Sequence, residues 1–163
     1  MLTIFGQKLP APVVVEFGDY VPFKFRCLVE SKSPHLYWRA GNLESTLIEV
    51  EINPVDGQIT AVALLLPGRV GKKFPVLGLP LNSSEGLPLF RIHDWPNDRV
   101  MDEPKPFQVF VDETRLLILL SDTVATRSMT SSQVTFGVCA NDSLAWILVN
   151  DLNSERLAEF VSS

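Results

Sequence analysis

Apolar and polar positions alternate most regularly between Thr46 and Leu66, where TLIEVEI is followed by NPVDG and then by QITAVALLL. A period of two marks half-buried strands, and Asn, Pro and Gly between two such runs mark a turn. Asn53 suits the first turn position, Pro54 presets φ at the next, and Gly57 accepts the positive φ that closes a four-residue loop. The turn predicts a register. Ile52 falls opposite Ile59, Val50 opposite Ala61 and Ile48 opposite Ala63 on an apolar side, with Glu51 opposite Thr60 and Glu49 opposite Val62 on the other. That second side becomes apolar at Leu47 and Leu64, which predicts a cover over its far end.

The same period predicts strands elsewhere. Val13 to Phe17 follows Pro10 and Pro12 and reads as an edge or opening strand, because proline donates nothing to a ladder. Between Tyr20 and Val29, Phe23, Phe25 and Cys27 alternate with Lys24 and Arg26; His35 to Ala40 forms a further segment, and Leu89 to Ile92 a short one. Phe107–Val111 and Leu116–Leu120 make a second hairpin, and a loop of two residues or of four gives one register, with Val111 opposite Leu116 and Val109 opposite Ile118. A third hairpin turns at Asn141-Asp142. It places Phe136 against Ile147 and Gly137 against Trp146, where a missing side chain leaves room for an indole. Thr123 to Ser132 is rich in Ser and Thr and reads as a connection. From Asn153 or Ser154 a short helix begins, with Leu157, Phe160 and Val161 at helical spacing.

Residues 67–88 carry Pro67, Pro75, Pro80 and Pro88 among Gly68, Gly71, Gly78 and Gly86, a density that forbids long regular structure. A loop of that length serves as a binding surface or a cover, or is a tolerated insertion. No helical crossovers separate the strands. The chain therefore predicts a mainly β fold, an antiparallel sandwich or strongly bent sheet built from consecutive hairpins with a short C-terminal helix. Its 163 residues suit a single domain, 1–163, with a core of its own.

A formal net charge of −5 argues against direct binding to nucleic acid or to an anionic membrane and favours a basic protein partner. The N-terminal MLTIFGQKLPAPVVVEF lacks the pattern of a signal peptide, and no apolar run is long enough to span a bilayer, so a cytoplasmic location is expected. Cys27 and Cys139 have no paired spacing and read as buried, reduced thiols; neither a metal nor a cofactor is implied.

Catalytic chemistry has few candidates. His35 lies among aromatics in a strand, and His93 adjoins Asp94, although neighbours in an extended segment point to opposite faces. No serine-nucleophile elbow occurs, and GRVGKK lacks the spacing and the hydroxyl residue of a phosphate loop. Recognition has more. Glu49 and Glu51 project from one face of the central hairpin, and Asp94, Asp98, Asp102 and Glu103 crowd a segment that also carries Trp95, a mixture of charge and aromatic anchor found at protein interfaces. Charged residues more often simply solvate a surface, and Trp95 can plug the core.

LIEVEINPVDGQITAVALL, a segment bearing a Trp followed by Arg99 and Asp102-Glu103, then FQVFVDETRLLILLSD and VTFGVCANDSLAWILVNDLNSERLAEF together resemble the small immunity proteins encoded beside bacterial polymorphic toxins, including those of contact-dependent growth inhibition. The resemblance runs from about Thr46 to Val161, outside the proline-rich loop. It implies a non-enzymatic cytoplasmic protein, monomer or homodimer, that binds one cognate toxin domain and neutralises it by plugging its active site or clamping it elsewhere. Such toxins are commonly nucleases, whose basic surface an acidic inhibitor complements. Contact residues vary within that family and do not transfer; Glu49, Glu51, Asp94, Trp95, Asp98, Asp102 and Glu103 are chosen by charge and anchor logic. Two other readings remain: a structural or adaptor domain that homodimerises through a strand edge, and an enzyme using His93 with a nearby carboxylate.

Overall fold

The computed structural model describes residues 1–78 and 82–162; Leu79, Pro80 and Leu81 of the proline- and glycine-rich segment lie outside them. The fold is mainly β, as the alternation predicts. In chain order the strands are β1 (Ile4–Lys8), β2 (Val13–Phe17), β3 (Phe23–Cys27), β4 (Leu36–Ala40), β5 (Thr46–Ile52), β6 (Ile59–Pro67), β7 (Val70–Gly71) and β8 (Asn82–Glu85). They continue with β9 (Leu87–Phe90), β10 (Val100–Glu103), β11 (Gln108–Val111), β12 (Leu116–Leu119), β13 (Ala125–Ser131), β14 (Val134–Cys139) and β15 (Leu144–Val149), and helix α1 (Ser154–Ser162) ends the chain.

Two large sheets form, in the orders β10-β4-β5-β6-β3-β2 and β7-β11-β12-β15-β14-β13-β8, with β1 and β9 paired as a separate ribbon. Their inner faces share one apolar cluster. Trp38, Phe25, Val50 and Leu64 come from the first sheet, Phe136, Ile118 and Ile147 from the second, and Leu2, Ile4 and Phe90 from the ribbon side. Phe25 meets Phe136 edge to face across the layers, 6.4 Å between centroids. Phe160 of α1 packs against Phe17 and Phe23 at one end, and Asn153 caps the helix by accepting the Arg156 N–H at 3.0 Å.

Pairing is antiparallel except at three edges, where β10 joins β4, β7 joins β11 and β8 joins β13 in parallel. Parallel neighbours need a crossover. Between β7 and β8 the chain passes from one edge of the seven-stranded sheet to the other. On the way Phe74 and Leu77 pack on a second cluster, Leu117, Ala125, Cys139, Ala145 and Trp146, on the outer face of that sheet. The described part of the proline-rich segment is thus a cover over otherwise exposed apolar surface, and its regular pieces are short.

Beyond the parallel edges and β1, which the sequence does not announce, and β9, which runs Leu87–Phe90 rather than Leu89 to Ile92, the central hairpin and residues 123–132 depart from the sequence reading. In the central hairpin Ile52 does pair with Ile59, but Glu51 then pairs with Ala61, so Thr60 is an extra residue, a β-bulge. Its hydroxyl donates to the Glu51 carbonyl at 3.0 Å, which stabilises the bulge. Beyond it Val50 pairs with Val62, Glu49 with Ala63 and Ile48 with Leu64, one residue from the predicted register. Leu64 accordingly belongs to the core, and the far end of the opposite face is not apolar in the way predicted. Residues 123–132 contain strand β13 where the sequence suggests a connection. Ser131 can be buried there because its hydroxyl donates to the Ala11 carbonyl at 2.6 Å and accepts the Ala11 N–H at 2.7 Å.

Candidate functional site

The outer face of the six-stranded sheet carries the charges. Register across the strands lines up Asp102, Arg39, Glu49, Ala63, Lys24 and Glu16 in one row. The neighbouring row runs Val100, Tyr37, Glu51, Ala61, Arg26 and Val14. The bulge at Thr60 makes this arrangement, because it brings alanines rather than Val62 and Leu64 to the outside. With only methyl groups in the middle, the long charged side chains on either side stand over a shallow floor. Among the described residues neither apolar cluster lies on this face.

Arg39 is the centre of its charge pattern. Its guanidinium grips Asp102 with two hydrogen bonds, Nε to Oδ1 at 2.7 Å and Nη2 to Oδ2 at 3.0 Å. Asp102 is held below the usual carboxylate range by that hydrogen bond, and the Arg39 pKa is raised by it, with Glu49 and Asp98 adding attraction. Glu51 is held differently: its Oε1 is 2.6 Å from His35 Nδ1, and its other oxygen is 4.0 Å from Lys24 Nζ. Glu49 has neither arrangement. Among the described residues it makes no direct ion pair, and burial pushes its carboxyl above the ordinary range despite the opposing pull of Arg39 and Lys24, with Glu51 pushing the same way as burial. The Tyr37 hydroxyl is likewise raised, by burial and then by Glu51 and Glu49.

The residues singled out in the sequence therefore divide. Glu49, Glu51 and Asp102 share the outer face, and Asp98 acts on the same Arg39 from the loop that leads into β10. Glu103, one residue on, alternates to the inner side, where its carboxylate accepts from Trp38 Nε1 at 3.3 Å and meets the Met1 amino group and Lys105. Trp95 is partly buried against the main cluster and donates its indole N–H to the Arg99 carbonyl at 3.1 Å, so it secures the loop 91–99. His93 and Asp94 are 73% and 95% exposed, with 4.0 Å between Nε2 and Oδ2, a loose contact in solvent. Tyr37 and Arg39 were missed. Their signal, LYWRA with outward positions two apart and opposite the two glutamates, is legible only once the strand order is known.

One further group converges here that sequence spacing does not reveal. Ser31 Oγ lies 2.7 Å from His35 Nε2, while the other ring nitrogen faces Glu51. Among the described residues no group of three or more His, Cys, Asp or Glu side chains is placed to hold a metal ion, and no helix is long and apolar enough to cross a membrane. Compared with known protein families and with curated proteins, the chain matches no family model and no curated sequence.

Proposed function

We propose that this protein is an immunity protein: it binds a cognate bacterial toxin domain in the cytoplasm, a nuclease as the resemblance to such proteins implies, and neutralises it by contact alone. The observation that carries this reading is the open outer face of the six-stranded sheet, with Glu49 half-buried at its centre and, among the described residues, without a direct ion pair. A carboxylate kept in a partly desolvated place without a cation of its own costs stability, and such a cost is retained where a partner completes the site. A lysine or arginine of the toxin fits there. Asp98, Asp102 and Glu51 widen the negative field around it, while Arg39 and Lys24 set a spacing of charges that only a matching partner satisfies.

The other large sheet lacks this opportunity, since Phe74 and Leu77 already occupy its outer face. The net charge of −5 has the sign that steers a basic partner inward. The test is protection in cells. The reading expects an upstream gene that ends in a toxin domain; co-expression with that domain restores growth to a host that the domain alone arrests, and the two proteins co-purify, whereas continued arrest with no co-purification overturns the reading.

A further inference from the structure

We propose that Ser31, His35 and Glu51 form a nucleophilic acyl-transfer site, with Ser31 as the nucleophile, His35 as its general base and Glu51 as the group that orients the base. Each contact has the polarity this chemistry needs. A carboxylate only accepts, so Glu51 Oε1 at 2.6 Å places the imidazole hydrogen on Nδ1. In the neutral ring, the form a general base requires, Nε2 is then the acceptor for the Ser31 hydroxyl at 2.7 Å. Nucleophile, base and orienter are thus each within hydrogen-bond reach of the next, the connectivity by which an unreactive hydroxyl is activated.

Burial is graded in the useful direction. The side chains of His35 and Glu51 are 18% and 19% exposed, which restricts the ring to one orientation, whereas Ser31 sits on the exposed loop between β3 and β4. Glu51 is fixed in turn by its place in β5 opposite Tyr37 and by Lys24 near its second oxygen. The elements that hold the base are strands, and the nucleophile alone is on a loop.

Ser31 is exposed on its loop, so the substrate class we assign is an activated acyl or organophosphorus ester, which can reach the hydroxyl from solvent. With an aryl ester, Ser31 Oγ adds to the carbonyl carbon as its proton passes to His35 Nε2. The bond to the aryl oxygen then breaks and that oxygen takes the proton. Water repeats the sequence on the acyl-serine, releasing the carboxylic acid and restoring the hydroxyl. With a fluorophosphonate the Oγ–P bond forms, the P–F bond breaks, fluoride departs with the proton, and the adduct persists.

The experiment incubates the purified full chain with a fluorophosphonate probe, maps the adduct by mass spectrometry, and follows 4-nitrophenyl acetate hydrolysis in parallel. The expected result is one adduct, on Ser31, absent in Ser31→Ala and formed at least about 100-fold more slowly in His35→Ala, the usual contribution of a general base. His35→Asn provides the comparison if the alanine variant does not fold. No adduct on Ser31 of the wild-type chain, or an adduct whose rate is unchanged without the imidazole, overturns the proposal. Neither outcome involves the toxin partner.

Discussion

Gly137 lies directly against the indole of Trp146: the two residues pair across β14 and β15, and a Cβ at position 137 would overlap the ring carbons. The indole fills the space the glycine leaves and forms part of the apolar cluster covered by residues 74–78. Gly137→Ala must displace either the ring or the strand. We expect a loss of roughly 1–3 kcal/mol, the range for overpacking, read as a lower denaturant midpoint at unchanged slope. A variant as stable as the wild type would show that Trp146 has another place to go.

Leu77 tests whether the segment after β7 is a cover. It packs on the outer face of the seven-stranded sheet beside Trp146 and Leu119. Leu77→Asp should release the segment and expose that face, lowering stability by roughly 1–3 kcal/mol and increasing binding of a hydrophobic dye. Unchanged dye binding would mean that the segment stays down without its apolar contact.

The two cysteines supply an independent check of packing. Both are buried and free, and burial pushes the Cys27 thiol up to about 12. Only the thiolate reacts with a disulfide reagent. Folded protein at neutral pH should therefore react slowly, at the rate of its unfolding or local opening, and both thiols should react at once in denaturant. Fast reaction of either in the native state would contradict the core described above.

Glu49 gives a pH-dependent prediction whose sign is opposite to that of a paired carboxylate. Its folded-state pKa is raised, chiefly by burial, so the folded chain binds that proton more tightly than the unfolded chain. The resulting penalty is full above the raised pKa and fades as pH falls through the carboxylate range. Glu49→Gln should thus melt higher than wild type at neutral pH, by a few degrees at most, and the difference should vanish towards acid pH. A variant that melts lower at neutral pH would mean that the charge is already compensated within the chain.

Local pairing was legible in the sequence and long-range pairing was not. The hairpin of Val111 and Leu116 and that of Phe136 and Ile147 have the registers predicted, because turn length and a period of two fix them together. The central hairpin went wrong at one residue: nothing in QITAVALLL marks Thr60 as a bulge until its hydroxyl meets the Glu51 carbonyl. β13 was hidden by its hydroxyl side chains, which read as loop although Ser128 and Ser131 are buried. The parallel edges depend on crossovers that leave no local pattern, and β1 was not anticipated, its Ile4 being drawn into the core by pairing with Phe90. Of the site, the sequence shows the outward glutamates of β5 but not their neighbours. Arg39, Lys24 and Tyr37 reach them through strand order, and Ser31 through a loop.

The most direct measurement is the affinity of the proposed partner, a cognate toxin domain, for wild type, Glu49→Gln and Glu49→Lys, by calorimetry, with melting temperatures recorded in parallel. If Glu49 receives a cation of the partner, the lysine variant loses affinity by about 100-fold or more, the glutamine variant by less, and neither melts more than a few degrees below wild type. Binding within about threefold of wild type for both folded variants would contradict the claim that this face of the six-stranded sheet is where the partner sits.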